Sequence, residues 1–266
     1  MSAAPPALPA GLPDVVQASP LGGGDVAQAW RATLTDGREV VVKATPYDAG
    51  LEAEGLRALA DAGAPTPALL GVDAHVLVLE HVSGPPDWSG LGAALARVHG
   101  HHGPAFGWHR DNVIGPLPQA NGWCPTSGTF VVERRIRPHL EVLPAALARR
   151  LAAACDGPLP ALLDAHEPTP SLVHGDLWTG NVVDGRWLID PAVHHADRET
   201  DLAMLTLFGA PPRPFWDAYA SAAPLPDGWE QRRPALHLAP LLVHVRLFGG
   251  SYVDGVARAL DAADLP

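Results

Sequence analysis

The order of elements predicts an α+β fold, with a small antiparallel sheet and one helix in front and a mainly helical body behind. Three observations carry this. The first eighty residues alternate β-branched runs with turn signals, Ser83-Gly84-Pro85-Pro86 then marks a linker, and the later apolar runs have helical rather than strand spacing. A chain of 266 residues can bury a sizeable core as either one large domain or two lobes.

Met1 to Pro13, rich in Ala and Pro, reads as a flexible head. Strands follow near Val26 to Thr35 and over Glu39 to Ala44, joined by the turn Asp36-Gly37. Before them stands Gly22-Gly23-Gly24-Asp25, a loop whose backbone can lie close over phosphates, with Gly23 and Gly24 as the candidate contacts. Leu51 to Ala62 has helical spacing and is stopped by Gly63 and Pro65. Strands at Leu69 to Val72 and Val76 to Glu80 complete the sheet. Beyond the linker, helices are predicted at Leu91 to His99, Leu140 to Ala154, Ala161 to Ala165, Leu202 to Phe208 and Leu236 to Phe248.

The chemistry is concentrated in His174-Gly175-Asp176-Leu177-Trp178-Thr179-Gly180-Asn181, followed nine residues on by Asp190. An acid, an amide five residues later and a second acid after a short apolar run have the spacing of the catalytic and metal loops of kinase-type phosphotransferases. Phosphoryl transfer needs a group to take the hydroxyl proton, a role for Asp176. It also needs oxygen ligands for a small hard cation such as magnesium, a role for Asn181 and Asp190. Asp184-Gly185 between them predicts a hairpin that returns Asp190 to the side of Asn181.

Lysine usage is a second indication. The chain holds 18 basic residues, of which only Lys43 is lysine. A position that keeps lysine where arginine is used everywhere else needs a compact ammonium. Lys43 closes the run Glu39-Val40-Val41-Val42, the place of a strand lysine that contacts nucleotide phosphates. Either Glu52 or Glu54 can pair with it, and Glu52 is preferred. At the crossing into the linker, the backbone of Leu79, Glu80 and His81 would read the adenine edge.

A net charge of −11 argues against a nucleic-acid partner, and Arg134-Arg135 with Arg137 is too short a basic cluster to change that. Cys124 and Cys155 have no metal or redox spacing. The N-terminus has no basic start or apolar core of a signal peptide, and no apolar run approaches membrane length, so a cytoplasmic setting is expected.

The motif from His174 to Asn181 and Asp190-Pro191-Ala192 resemble the signatures of the fructosamine kinase, or ketosamine-3-kinase, family in its bacterial form. So do Phe106-Gly107-Trp108-His109-Arg110-Asp111-Asn112, Asn121-Gly122-Trp123, Glu133-Arg134-Arg135, Arg198 to Met204 and Leu247-Phe248-Gly249-Gly250, covering about Gly22 to Tyr252. The resemblance implies a bilobal protein-kinase-like fold with lobes 1–82 and 83–266, and ATP and Mg2+ as cofactors. It implies phosphorylation of the C3 hydroxyl of a small-molecule or protein-bound ketosamine, leading to release of the amine. On it, Trp178 would stack on the sugar chain of the substrate and Asp201 would brace the catalytic loop. The sequence departs from the family at Asp25, where a cysteine is usual, and at His194 and His195, where two tyrosines are usual.

Three alternatives remain open from the residues alone. One is a kinase for another small alcohol or an aminoglycoside, and the second is a non-catalytic nucleotide binder. The third is a metallohydrolase built from His174, Asp176, His194, His195 and Asp197.

Overall fold

The computed structural model describes residues 4–22 and 27–266. Five strands form one antiparallel sheet: β1 (Val15–Leu21), β2 (Gln28–Leu34), β3 (Glu39–Ala44), β4 (Leu69–Val72) and β5 (Val76–Glu80), in the order β1-β2-β3-β5-β4. The β2–β3 turn follows Asp36-Gly37. The Asp36 carboxylate accepts from the Arg38 amide at 3.1 Å, and Gly37 takes φ +86°, which favours glycine.

Because side chains alternate along a strand, the sheet sorts its apolar residues between two faces. Ala32, Leu34, Val40, Val42, Val76 and Val78 form one buried layer, while Leu77 and Leu79 on the other face pack under helix α1 (Ala49–Asp61) through Ala49, Ala53 and Leu56. Asp48 caps α1 by accepting from the Gly50 amide at 2.8 Å, and Gly63 ends it at φ +85°.

The predicted flexible head is corrected here. Leu8 and Leu12 pack on the first apolar layer, and a Cβ on Gly71 would lie 2.8 Å from Leu12 Cδ1. Without that cover one face of the sheet would be bare. β1, which no apolar alternation announced, is mostly exposed as the edge strand.

The helical body comprises α2 (Trp88–Val98), α3 (Ser127–Phe130), α4 (Ala145–Cys155), α5 (Pro158–Asp164), α6 (Glu199–Leu207), α7 (Arg213–Ala222), α8 (Trp229–Leu236), α9 (Leu238–Phe248) and α10 (Val253–Ala262). A π turn, Val131–Ile136, and a 3-10 segment, Arg137–Val142, continue α3. The helix expected from Leu140 starts only after Pro144, a residue that cannot sit in a helix interior without losing a hydrogen bond. α3, α7 and α10 lie outside the predicted set, and so does α8 apart from its last residue, Leu236.

Short strand pairs shape the site. They are β6 (Asn112–Ile114) with β7 (Leu117–Gln119), β8 (Ser171–Val173) with β11 (His194–Ala196), and β9 (Val182–Val183) with β10 (Trp187–Leu188). Among the described residues, no helix is long and apolar enough to cross a membrane.

Helices α2 and α7 approach so closely that a Cβ on Gly92 would lie 2.3 Å from the Phe215 carbonyl oxygen. Gly92→Val should therefore cost about 1–3 kcal/mol of overpacking. Chemical denaturation should show a lower midpoint at unchanged slope.

Candidate active site

Strand β8 ends at Val173, and the chain then turns sharply under Asp201 of α6. The Asp201 carboxylate accepts from the His174 amide at 2.7 Å and the Gly175 amide at 2.9 Å. His99 Nε2 lies 3.2 Å from the same carboxylate, and His99 Nδ1 lies 2.8 Å from the Tyr219 hydroxyl, so α2, α6 and α7 jointly hold the turn. Burial alone would raise the Asp201 carboxyl, but the His99 contact and the donated amides bring it below the usual range. Gly175 takes φ +83°, and a Cβ there would lie 2.1 Å from the Ala192 carbonyl oxygen. No other residue fits.

His174 serves the backbone. Its Nε2 donates to the Ile189 carbonyl at 2.9 Å, which leaves Nδ1 to accept from the Asp176 amide at 3.3 Å. Burial lowers its pKa and keeps it neutral.

Asp176 and Asn181 are in direct contact: Asn181 Nδ2 donates to the Asp176 backbone oxygen at 2.8 Å and to its carboxylate at 3.1 Å. With its nitrogen so engaged, Asn181, which lines the cleft, has Oδ1 as the amide atom not used in these bonds. Burial pushes the Asp176 carboxyl up to about 7, against the pull of the Asn181 bond.

The hairpin forms as the sequence predicts. Asp184 and Gly185 both have positive φ, at 52° and 62°, as a tight two-residue turn requires, and the Ile189 amide donates to Asn181 O at 3.1 Å. Asp190 follows at φ 57°, a left-handed conformation uncommon outside glycine, though less so for aspartate, and held here by its surroundings.

That geometry sends Asp190 to Lys43. The ammonium lies 2.8 Å from Asp190 Oδ1 and 2.7 Å from Glu52 Oε2. Burial would lower the Lys43 pKa, but the two carboxylates outweigh it and raise it. Burial in turn pushes Glu52 up to about 7 against the attraction of Lys43. Gly55, one turn beyond Glu52, lets α1 approach Pro191, where a Cβ would meet the ring at 3.0 Å.

The choice between the two glutamates is therefore made by the helix face. Glu54 points the other way, accepting from Trp108 Nε1 at 2.7 Å and pairing with Arg110 at 2.6 Å and His109 at 3.2 Å. It ties the 106–123 segment to α1.

Lys43, Glu52, Asp176, Trp178, Asn181 and Asp190 line one cleft of about 660 Å3. Leu79, Glu80 and His81 line its far end, with a change to the expectation: the amides of Glu80 and His81 already donate within the sheet, at 2.9 Å to Ala68 O and 3.2 Å to Glu39 O. Val82, also in the lining, carries the next backbone donor, which spacing alone did not single out. Gly22 lines the mouth, whereas Gly23, Gly24 and Asp25 lie outside the described residues. Trp178 is 38 % exposed and meets Phe208 edge-on at 6.4 Å; Phe208 lies 4.5 Å from His244, another lining residue not anticipated.

The residues of the metallohydrolase alternative do not converge. His194 Nδ1 donates to the Ala192 carbonyl at 3.0 Å, while His195 faces the opposite side of β11 against Trp123. Asp197 is beside His166, and its neighbour Glu199 is held at both oxygens by Arg232, at 2.6 and 2.8 Å. The Arg134–Arg137 cluster is a local network: Arg135 bonds Ala120 O and Asn121 Oδ1, and Arg137 bonds Glu133 and Asp156.

Residues 10–264 match the family model described as fructosamine kinase. The chain belongs to the fructosamine kinase family. It is 37 % identical over 266 residues to a "probable ketoamine kinase" of Thermus thermophilus, covering 96 % of this chain and 97 % of that one. It is also 38 % identical to a candidate fructosamine-3-kinase of Thermobifida fusca, whose crystal structure superposes with a TM-score of 0.86 over 94 % of both chains. A choline/ethanolamine kinase family protein of Mesorhizobium loti, 20 % identical over 94 % of this chain and 89 % of that one, shares the fold with a TM-score of 0.64. The fold is thus that of kinase-like phosphotransferases. As a member of this family, the chain is an ATP-dependent phosphotransferase that acts on ketosamines.

The separate engagements of the two glutamates set up a direct comparison. Glu52→Ala should raise KM for ATP about tenfold or more, whereas Glu54→Ala should leave KM for ATP nearly unchanged and lower stability by about 1–3 kcal/mol. Steady-state kinetics alongside thermal unfolding would separate the two.

Proposed function

We propose that this protein transfers the γ-phosphoryl group of ATP to the C3 hydroxyl of ribulosamine, erythrulosamine or fructosamine, leading to deglycation of amines or proteins in a cytoplasmic setting. The observation that carries this reading is one cleft in which a buried ammonium, a carboxylate of raised pKa, an amide oxygen and a second carboxylate face one another.

Each residue has a role set by its chemistry. Asp176 takes the proton from the acceptor hydroxyl as the acceptor oxygen bonds to the γ-phosphorus and the bond to ADP breaks. Its raised pKa suits a proton acceptor that works near neutral pH. Lys43, held by Glu52, exchanges Asp190 for phosphate oxygens when the nucleotide enters. The Glu80 carbonyl and the Val82 amide read the adenine edge, and Trp178 stacks on the sugar chain.

The cation site is tested by its donors. Asn181 Oδ1 and Asp190 Oδ2 are both oxygens, the Asp190 side chain is 42 % exposed, and the Asn181 amide nitrogen is turned away onto Asp176. Such a set suits magnesium, which keeps several waters. Bound there, it would neutralise charge on the phosphates. A lobe boundary between residues 82 and 83 belongs to the same reading, since the linker joins the two sides of the cleft.

Because Asp176 must be unprotonated to accept a proton, kcat/KM should rise with pH through about 7 and then level off. Asp176→Asn should abolish turnover and leave ATP binding largely intact. A pH–rate profile with nucleotide titration of the variant checks both. ATP consumption with ribulosamine, erythrulosamine, fructosamine and an aminoglycoside side by side tests the acceptor class. Turnover of the ketosamines alone is expected, and turnover of the aminoglycoside alone would overturn the reading.

A further inference from the structure

A second cavity, of about 330 Å3, adjoins the cleft. Ile114 of β6 and Val243 of α9 line both spaces, and Gly175, next to Asp176, lines the second one too. The volume lies at the lower end of the range for small-molecule pockets, and most of the wall is apolar.

Its polar groups are few and specific. Thr200 Oγ1 is buried without a hydrogen-bond partner. Beside it in the lining is His194, only 2 % exposed. The Ala192 carbonyl can only accept, so His194 Nδ1 carries the proton and Nε2 offers a lone pair. Burial drives the His194 pKa down to about 3, which keeps the ring neutral at physiological pH. A dry cavity would leave the Thr200 hydroxyl unsatisfied, and a single water beside it removes that cost without filling the apolar remainder.

Three arginines, Arg134, Arg135 and Arg246, reach the lining. The π turn Val131–Ile136, a widened helical geometry often found at functional sites, carries Arg134 and Arg135 into the lining. Neither forms a salt bridge to a carboxylate among the described residues; Arg134 Nε donates to the Gly122 carbonyl at 3.2 Å. Arg246, by contrast, pairs with Glu141 at 2.7 Å. Arg134, which lines the cavity and has no carboxylate partner among the described residues, is thus the charge left for a ligand.

We infer that this cavity receives the substituent on the acceptor's nitrogen, and that it fits an apolar group accompanied by a carboxylate, as in the ketosamine of a free hydrophobic amino acid. The sugar chain then stays by Asp176, the apolar side chain passes Ile114 and Val243 into the cavity, and the carboxylate meets Arg134. This rests on the ketosamine reading above and names the acceptor for the same site.

The test uses three adducts of one sugar, ribose: with methylamine, with leucine and with leucine amide. The leucine adduct should show a kcat/KM about tenfold or more above that of the methylamine adduct, and the amide should lose most of the gain. Ala239→Phe, which fills the cavity from α9, should slow the leucine adduct about tenfold more than the methylamine adduct. Arg134→Gln should bring the leucine and leucine amide adducts together, and it keeps the test open should the filled variant fold poorly.

Equal turnover of all three adducts, or variants that slow them all alike, would overturn the cavity assignment and leave the ketosamine reading standing. Turnover of none of the three would sink both.

Discussion

The Lys43 ammonium is the contact on which the rest depends. It is buried between a carboxylate nine residues away on α1 and another 147 residues away beyond the hairpin. A buried cation is tolerated only when opposite charge and hydrogen bonds surround it, and removing one partner leaves a charge with too little compensation. The sheet, helix α1 and the loop at Asp190 must therefore sit in register for the ammonium to be satisfied. The proposed nucleotide site and the relative placement of the two parts of the chain follow from one constraint.

The catalytic loop has its own support, independent of Lys43. Asp201 binds two successive amides of the turn and connects through His99 to Tyr219, which lies on the helix that packs against α2 at Gly92. This frame holds Asp176 where burial raises its pKa while Asn181 limits how far. One amide thus touches both groups of the proposed chemistry: its nitrogen tempers the carboxyl that burial has raised, and its oxygen is left unengaged by that contact. The left-handed backbone at Asp190 completes the arrangement, a local strain that the hairpin on one side and Pro191 against α1 on the other keep in place.

Much of this was legible in the residues because much of it is local. β3, β4 and β5 match their predicted bounds: β3 and β5 show their buried valine-rich runs directly, and β4 is a half-buried apolar run that ends before Asp73. β1 was not legible because it is an exposed edge whose residues need not alternate. Prolines moved helix boundaries, as at Pro144, and the N-terminal segment looked free because its anchors, Leu8 and Leu12, are isolated apolar residues in a run of Ala and Pro. The amides free to read an adenine edge could not be chosen from spacing, because which amides remain unpaired depends on the sheet's register with Ala68 and Glu39.

The sequence by itself determined which residues gather at the proposed site. Asp176, Asn181 and Asp190 lie within fifteen residues, so a turn and a hairpin suffice to assemble them, and a solitary lysine on a strand named its own position. Only the tertiary structure decided that Glu52 rather than Glu54 meets that lysine, that Glu54 instead holds Trp108 and Arg110, and that a second cavity opens behind Ile114 and Val243. Those outcomes depend on which face of a helix meets which distant segment. Packing between elements sets that, and no spacing along the chain records it.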